Sequence, residues 1–307
     1  MNSSFAHAGI LLGDRILSGS SRYIATRTVL LTVVAMGAFA ANSLLCRLAL
    51  GQELIDAATF TTVRVISGAV SLSLIVALRR RTLDRGTADW RAAAMLFTYM
   101  AFFSFAFLSL SAGTGALILF GAFQLTMFIF ALRQGEHFPL LSWAGLTLAI
   151  LGLIYLVSPG VTAPDPWGAV LMAIAGIAWG FYSLLGREAA DPLEATARNF
   201  VYSVPLVLVV SLFYLDDFSS SSNGLALAVA SGAITSGGGY VIWYAALRGL
   251  TATRAATVQL SVPAIAAFGG IVMLSEEITL RLLLASAATL GGVAIVLARR
   301  AAKASGS

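Results

Sequence analysis

The segment SLLCR at residues 43–47 returns as SLLGR at residues 183–187, which is 140 positions further along the chain. A single match of this kind means little in a sequence rich in alanine and leucine. A constant register over much of the chain, however, predicts an internal duplication of the whole fold. Further segments repeat at the same offset: Ala38 with Ala178, Ala57 with Ala197, Phe60 with Phe200, Val70 with Val210, Ser71 with Ser211, and GEHFPL (135–140) with SEEITL (275–280).

The composition of the 307 residues is that of a membrane protein. The chain is 59% hydrophobic and only 11% charged, and its mean hydropathy is +0.90. A soluble domain carries about a quarter of its residues as charges. We therefore expect a polytopic protein whose main solvent is the lipid bilayer.

Ten apolar segments approach the length of about 20 residues that a membrane-spanning helix needs. All are predicted to be α-helices, because lipid offers no partner to an unpaired backbone group. The predicted units are a tail at 1–27, a five-helix repeat at 28–157, a second at 166–298 and a tail at 299–307. The predicted spans are 28–49, 56–78, 89–110, 112–132, 139–157, 166–186, 192–214, 224–247, 252–273 and 279–298.

Five spans per repeat is an odd number, so the second copy enters the membrane from the opposite side. The predicted fold class is an all-α polytopic membrane protein, with ten transmembrane helices arranged as two inverted five-helix repeats. Inverted repeats are the architecture of carriers that alternate between two mirror-related states around a central site. The duplication is therefore the strongest functional signal in the sequence.

Basic residues predict the orientation of the chain in the membrane. With the N-terminus inside, all but three of the 19 Lys and Arg residues fall on the inner side or in the tails. The exceptions are Arg47 and Arg281 at outer span ends and Arg64 inside a span. This positive-inside pattern predicts cytoplasmic termini in an inner, or plasma, membrane. It also accounts for the net charge of +5, so no nucleic acid partner is expected. The first 27 residues are expected to form an irregular tail, with a short surface helix as the alternative.

Residues that would support catalysis are scarce. Cys46 is the single cysteine, and the two histidines, His7 and His137, have no metal-ligand spacing around them. No histidine or acidic residue lies in a predicted span core, where an intramembrane enzyme would need one. We expect no metal, no cofactor and no enzymatic activity. A channel is also disfavoured, because rings of identical polar groups are missing.

The stretch from Gly239 to Ala298 resembles the C-terminal repeat of EamA-type carriers in the drug/metabolite transporter superfamily. The matching motifs are YAAL at 244–247, the Ala/Gln/Ser/Pro run at 255–263 and the acidic pair Glu276–Glu277. The first half matches more loosely, since no proline stands opposite Pro263. The resemblance implies a central cavity lined by spans 1–4 and 6–9, with spans 5 and 10 outside. It also implies export of amino acids, other metabolites or drugs, and the amino-acid exporter branch is expected.

Aromatic residues deep in the spans are the first candidates for the cavity wall. A tyrosine hydroxyl or an indole N–H in hydrocarbon requires a hydrogen-bond partner. Simple helix packing remains the alternative for these rings. The expected cavity residues are Tyr99, Phe103, Trp179, Tyr240 and Trp243.

Polar residues inside the spans form a second group, because they should face protein or water rather than lipid. The group consists of Asn42, Gln124, Gln259 and Ser261, which either line the cavity or join helices by hydrogen bonds. Two helix-weakening residues, Gly238 and Pro263, are candidate hinges. Close packing is the alternative for both.

Arg64, within TFTTVRVISGAV at 59–70, is a permanent charge about 12 Å from the outer end of span 2. An arginine near a helix centre costs about 2.5–3.5 kcal/mol on insertion, so the side chain should face the bundle interior. It either docks the carboxylate of a substrate or clamps neighbouring polar groups. The absence of acidic residues from the span cores favours transport that is not coupled to ions.

The predicted function is export of amino acids, with apolar or aromatic ones favoured, or of similar small metabolites, by alternating access. The alternative substrates are drugs or organic cations, and nucleotide sugars. The expected partners are a small-molecule substrate and the lipid bilayer.

Overall fold

The computed structural model describes residues 3–80, 89–136, 138–186, 189–250 and 252–305, and the regular structure within these ranges is helical. An isolated antiparallel bridge joins Ile55 to Ser220. His137 and the 81–88 connection lie outside the described residues. The α-helices are α1 (Ser3–Gly51), α2 (Ala57–Arg80), α3 (Trp90–Ala106), α4 (Ala112–Arg133), α5 (Leu140–Val157), α6 (Pro166–Leu185), α7 (Pro192–Phe213), α8 (Ser222–Val229), α9 (Gly239–Leu247), α10 (Ala252–Gln259), α11 (Ser261–Leu274) and α12 (Leu280–Ser305).

Nine helical segments of the described chain are long and apolar enough to cross a membrane. They agree with nine of the predicted spans to within a few residues. The predicted third span, 89–110, differs: α3 has 17 residues and ends at Ala106, after which the backbone turns through 107–110. At a rise of 1.5 Å per residue, α3 is about 26 Å long, which is at the lower limit for a span. The third predicted span, and with it a total of ten, therefore remains a prediction.

Two of the spans in the second half are not regular helices. The eighth span consists of α8, a π-helix at Ala230–Gly238 and α9. The ninth is interrupted at Leu260, between α10 and α11. Pro263 has no N–H to donate to the carbonyl of Gln259, four residues earlier, so the helix breaks where the sequence predicts a weak point. Whether Gly238 and Pro263 act as hinges remains a prediction.

Side-chain caps fix the start of several helices. Asp89, Ser111, Asp165, Asp191 and Ser221 each accept a hydrogen bond from a backbone N–H in the first turn of α3, α4, α6, α7 and α8. Such caps satisfy donors that the helix itself leaves unpaired. The N–H of Gly168, followed by the hydroxyl of Ser109, stabilises the ionised Asp165 and holds its pKa below the ordinary value.

Helices of one half pack mainly on helices of the other. Three of these pairs join spans that are equivalent in the predicted repeat: α2 with α7, α4 with α11, and α5 with α12. Two further interfaces are equivalent to each other, namely α3 on α6 and α1 on the eighth span. The α5–α12 pair is drawn together by glycines: a Cβ atom on Gly145 would lie 2.6 Å from the carbonyl oxygen of Gly292. This pair has a small buried cluster of its own, at Ala149, Val293 and Leu297, and adds Leu156, Leu282 and Ala285 to the main core.

Both predicted tails are helical where the structure describes them. Helix α1 begins at Ser3, so residues 3–27 continue the first span instead of forming the irregular tail that we expected. Helix α12 likewise continues to Ser305. Their cytoplasmic location remains a prediction.

Consecutive spans run in opposite directions, so the connections between them fall on two faces of the bundle. One face, called the closed face, carries residues 51–56, 107–111, 158–165, 214–221 and 275–279. The other, called the open face, carries residues 134–136, 189–191 and 248–250.

Candidate functional site

A small pocket of about 30 Å³, called the deep pocket, lies between the two halves of the bundle. Six of the predicted cavity residues meet there, although they come from five different spans. The lining residues are Phe39, Asn42, Tyr99, Phe103, Phe120, Trp179, Thr235, Ser236, Tyr240 and Gln259.

A larger cavity of about 320 Å³, called the vestibule, continues from the deep pocket to the open face. Its rim includes Gly186, Pro192 and Leu247, which stand at helix ends on that face. Trp179, Tyr240 and Gln259 line both cavities and therefore form their shared wall. The vestibule is also lined by the polar or aromatic side chains of Phe123, Tyr182, Ser183, Thr196, Asn199, Trp243 and Tyr244.

Aromatic rings form a continuous series from the deep pocket into the vestibule. The ring centroids of Tyr99 and Trp179 are 4.8 Å apart, and those of Trp179 and Tyr240 are 5.7 Å apart. Tyr240 then stacks on Tyr244 at 6.1 Å. A planar or apolar solute that enters from the open face thus meets ring surfaces along its whole path.

The hydroxyl group of Thr196 joins three helices at the wall of the vestibule. Tyr182 of α6 donates a hydrogen bond to Thr196 Oγ1 at 3.2 Å, and Tyr244 of α9 lies 2.8 Å from the same oxygen. The Thr196 hydroxyl reaches the carbonyl of Pro192, one turn earlier in α7, at 2.7 Å. The cluster offers neutral polar groups and carries no formal charge.

Asn42 holds the π-helical segment of the eighth span against α1. Its Oδ1 lies 2.7 Å from Ser231 Oγ and 3.2 Å from Thr235 Oγ1. Thr235 and Ser236 in this segment line the deep pocket. π-Helical geometry inside an α-helix is rare and is frequent at functional sites.

Arg64 lies behind the deep pocket and is 0% exposed. Its Nη2 donates to the Tyr99 hydroxyl at 3.2 Å, and its guanidinium carbon lies 4.9 Å from the ring centroid of Phe103. Its Nε and Nη1 atoms have no hydrogen-bond partner within the described part of the chain. The rings of Tyr99 and Phe103 therefore contact both the pocket and a buried cation with unused donors.

Besides Arg64, three predicted residues lie outside the deep pocket. Trp243 lines the vestibule and not the deep pocket. Gln124 lies in a separate crevice between α4, α5 and α12, where its Nε2 has no partner among the described residues. Ser261 is exposed and donates to the carbonyl of Val258 at 2.7 Å. The structure does not bring Gln124 or Ser261 to the central cavities.

Several vestibule residues are not among those predicted from the sequence. Tyr182, Thr196, Asn199 and Tyr244 lie near the open-face ends of their helices, where polar residues are common and carry little signal. The spacing of Thr196 and Asn199, three residues apart on one face of α7, was the available indication. Thr235 and Ser236 depend on the π-helical register, which no hydrophobic periodicity reveals.

The closed face is sealed by hydrogen bonds between loops of the two halves. Asp56 N donates to the carbonyl of Ser219 at 2.8 Å, and Ser221 N donates to the carbonyl of Leu54 at 2.8 Å. Together with the Ile55–Ser220 bridge, these bonds join the α1–α2 and α7–α8 connections. These bonds hold the two connections together across the closed face.

A second layer of the seal is built on Glu276. Both of its carboxylate oxygens accept from the N–H of Ala112 at 3.0 Å, in the first turn of α4. Arg47 Nε lies 3.3 Å from Glu276 Oε1, while Arg47 Nη1 donates to the carbonyl of Phe107 at 3.1 Å. The arrangement links α1, the α3–α4 connection and the α11–α12 connection. We call the Arg47–Glu276 pair the closed-face latch.

Residues 166–298 match the EamA-like transporter family. The uncharacterized protein PA1977 of Pseudomonas aeruginosa is 48% identical over 278 residues, which cover 91% of this chain and 97% of that relative. The uncharacterized transporter YoaV of Bacillus subtilis is 22% identical over 240 residues, covering 73% and 82% of the two chains. The uncharacterized inner membrane transporter YedA of Escherichia coli K12 is 37% identical over 57 residues, 19% of either chain. A crystal structure with 19% identity and a TM-score of 0.65 covers 90% of this chain and 97% of its own, which supports the fold.

Proposed function

The chain belongs to the EamA-like transporter family and is a multi-pass membrane transporter, and we propose that it exports amino acids or similar small metabolites across the inner membrane. Amino acids with apolar or aromatic side chains are the proposed principal substrates. The observation that carries this proposal is the vestibule, which is walled by rings and neutral polar groups, reaches one face and ends near a buried arginine.

Alternating access is the proposed mechanism. The packing pairs support two inverted five-helix repeats with ten spans, because exchanging the halves maps each principal interface onto itself or onto another interface. In the described conformation the vestibule reaches the open face while two bonded layers seal the closed face. The opposite state would require the latch to break and the helices around the vestibule to close.

We assign the open face to the cytoplasm. The positive-inside rule supports this assignment, because the described basic residues Arg79, Arg91, Arg133, Arg248 and Arg254 are all at that face. A vestibule open to the cytoplasm is the loading state of an exporter. Export as the physiological direction follows family analogy.

The substrate is proposed to bind with its carboxylate towards Arg64 and its side chain along the aromatic series. Two nitrogen atoms of Arg64, Nε and Nη1, have no hydrogen-bond partner among the described residues, and a carboxylate is the planar acceptor that a guanidinium fits best. The rings of Tyr99 and Phe103 must move aside for direct contact. The competing role for Arg64 is structural, through Tyr99 alone.

The test is uptake of labelled leucine and phenylalanine into proteoliposomes, without any ion gradient and beside empty liposomes. Saturable uptake that a protonophore leaves unchanged would support an uncoupled amino-acid carrier. Uptake that requires an imposed gradient would refute the uncoupled mechanism. Absence of uptake in both conditions would refute the amino-acid assignment.

Organic cations are the second candidate, favoured by the rings of Trp179, Tyr240, Trp243 and Tyr244 around the vestibule. Such rings attract quaternary ammonium groups through their π-faces. The side chains named in the vestibule wall include no carboxylate to complete such a site. The two substrate classes are discriminated by competition of an aromatic quaternary ammonium compound against labelled phenylalanine, measured in the parent protein and in Arg64→Gln. Competition that persists or strengthens in Arg64→Gln would favour organic cations, because removal of a positive charge does not weaken a cation site.

A further inference from the structure

A second large cavity lies on the lipid-facing side of the bundle, away from the deep pocket and the vestibule. This cavity of about 680 Å³, called the α4–α6 groove, runs between α4 and α6. It exists because α5 packs on α12 and makes little contact with α4. The only α5 residues in its wall are Leu153, Ile154 and Val157, all near the closed-face end of that helix. Towards the open face, the groove is open to the membrane.

The walls of the groove are mostly apolar, and the one hydroxyl group among them is already hydrogen-bonded within its own helix. The floor residues Ile118, Ala122 and Ala169 are buried, whereas Ile129 and Phe181 on the flanks are half-exposed. Thr126 also lines the groove, but its hydroxyl donates to the carbonyl of Ala122 at 2.8 Å in the same helix. An occupant of this part of the groove must therefore be a hydrocarbon.

The length of the groove matches the bilayer. Its residues on α4 extend from Ile118 to Arg133, fifteen residues apart, which corresponds to about 22 Å along the helix axis. One leaflet of the hydrocarbon core is about 15 Å thick. Acyl chains that enter at the open-face end thus fit lengthwise and reach beyond Thr126.

Arg133 supplies the single charge at the groove, and it stands at the open-face end. It is exposed in the last turn of α4, and the described residues provide it with no hydrogen bond or ion pair. A guanidinium in this position lies at the level of lipid headgroups, next to a hydrocarbon slot. Phosphate oxygens are acceptors that an arginine binds in a bidentate manner.

We propose that the α4–α6 groove is a binding site for a phospholipid with an anionic headgroup. The phosphate group, whose negative charge is not cancelled by a choline group in an anionic lipid, binds Arg133 on the open face. The acyl chains lie between Ile129 on α4 and Ile177 and Phe181 on α6. The opposite walls of these two helices carry Phe120, Phe123, Trp179 and Tyr182 of the transport cavities. The lipid therefore braces two helices that form the substrate path, without entering that path.

The site is tested by native mass spectrometry of the purified full chain after incorporation into nanodiscs with equal amounts of phosphatidylglycerol and phosphatidylcholine. The expected result is retention of phosphatidylglycerol in preference to phosphatidylcholine. Arg133→Gln should lower that preference about fivefold, which corresponds to about 1 kcal/mol for one basic residue at the membrane surface. Arg79→Gln, at an exposed arginine on the same face but outside the groove, is the matched control and should leave the preference unchanged.

A second variant addresses the hydrocarbon part of the site. Ile177→Trp places a larger side chain in the groove at a half-exposed, lipid-facing position, where it should not disturb the core. It should reduce the retention of both lipids while the thermal midpoint stays within the range of the parent protein. Equal retention of the two lipids by the parent, or equal losses in Arg133→Gln and Arg79→Gln, would overturn the proposal. A dimer that forms on removal of lipid and buries Ile177 would also overturn it, in favour of a second copy as occupant.

Discussion

Arg47 and Glu276, which are 229 residues apart in the sequence, form an ion pair at the closed face with an Nε to Oε1 distance of 3.3 Å. The pair is partly exposed, and an exposed ion pair alone contributes only about 0–1 kcal/mol. The Glu276 carboxylate is further stabilised by the hydrogen bond from the N–H of Ala112 at the N-terminus of α4, where a helix stabilises negative charge. The latch is therefore strong enough to bias a conformational equilibrium and weak enough to open.

We expect Glu276→Gln to shift the protein towards a state that is open at the closed face. The loss of charge-assisted bonds worth about 1.5–3 kcal/mol corresponds to a shift of roughly tenfold or more. Cys46, the only cysteine, is fully buried next to Arg47 and reports on this opening. Its rate of alkylation by a small maleimide should rise about tenfold in the variant.

The neighbouring exposed residue provides the control for the latch. Glu277→Gln removes the same charge one position away and should leave the alkylation rate of Cys46 unchanged. Equal rates in Glu276→Gln and the parent protein would show that the latch does not hold the closed face.

Arg64→Gln should separate the two roles considered for the buried arginine. With two of its nitrogen atoms unpaired, Arg64 gains little from the folded protein, and a buried charge without a partner is costly. We therefore expect the thermal midpoint to stay equal or rise. Uptake of phenylalanine should fall by about tenfold to a hundredfold, the value of a hydrogen bond to a charged group, while uptake of its amide is little affected.

Tyr99→Phe serves as the comparison for Arg64. It removes the hydroxyl that Arg64 contacts but leaves the charge in place. If Arg64 were a structural clamp acting through Tyr99, both variants would lower the thermal midpoint and would reduce uptake of the acid and the amide alike.

Each feature of the fold and of the site could be predicted only as far as it produces a physical signal in the sequence. Hydropathy located most spans because lipid demands an uninterrupted apolar helix. It overestimated the third span, since the turn at 107–110 is as apolar as the helix before it. Gln124 was predicted for the cavity, but α4 is buried over most of its surface, so polarity alone did not reveal which neighbour it faces.

The repeat offset predicts which positions of the two halves are equivalent, but it does not predict which residues are in contact. Gly152 and Gly292 are 140 residues apart and so are equivalent in the repeat, yet Gly292 approaches Gly145, while Gly152 packs against Thr289. Helices α5 and α12 are antiparallel, so contacts pair early positions in one helix with late positions in the other. Such crossings depend on the three-dimensional arrangement of the halves, which the alignment of one half on the other does not contain.

The two adjacent glycines of α12 should differ sharply when replaced by alanine. A Cβ atom on Gly292 would lie 2.6 Å from the backbone nitrogen of Ala149 and would also meet the carbonyl oxygen of Gly145. Overpacking of this kind costs about 1–3 kcal/mol, so Gly292→Ala should lower the thermal midpoint. A Cβ atom on Gly291 meets nothing within 4 Å. Gly291→Ala should be neutral or raise the midpoint, because alanine favours a helix by about 1 kcal/mol. Similar midpoints for the two variants would contradict the close α5–α12 crossing.

Among the described acidic residues, Glu194 is the one most suited to carry a coupling proton, because it is buried at 7% exposure in the first turn of α7. Its Oε1 lies 3.9 Å from Arg198 Nη1, one turn later in the same helix, so Glu194 already has a cationic partner. We expect Glu194→Gln to retain uptake within about twofold and to stay insensitive to a protonophore, as in the parent protein. A parent protein driven by a proton gradient, with that dependence lost in Glu194→Gln, would instead identify Glu194 as the coupling site.

Thr196→Val should weaken substrate recognition in the vestibule more than it weakens the fold. Valine keeps the shape of threonine but removes the oxygen that Tyr182 and Tyr244 share. The tyrosine hydroxyls line the vestibule and can bind water instead, so the loss of stability should be about 1 kcal/mol. Without the Thr196 oxygen, the hydroxyl groups of the two tyrosines are no longer held in the orientation that a bound solute would meet. We therefore expect KM for phenylalanine uptake to rise about three- to tenfold with little change in the maximal rate. Thr98→Val is the matched control, since the Thr98 hydroxyl bonds only the carbonyl of Ala94 in its own helix. If both variants had the same KM, the hydroxyl cluster would be structural support and not part of the substrate path.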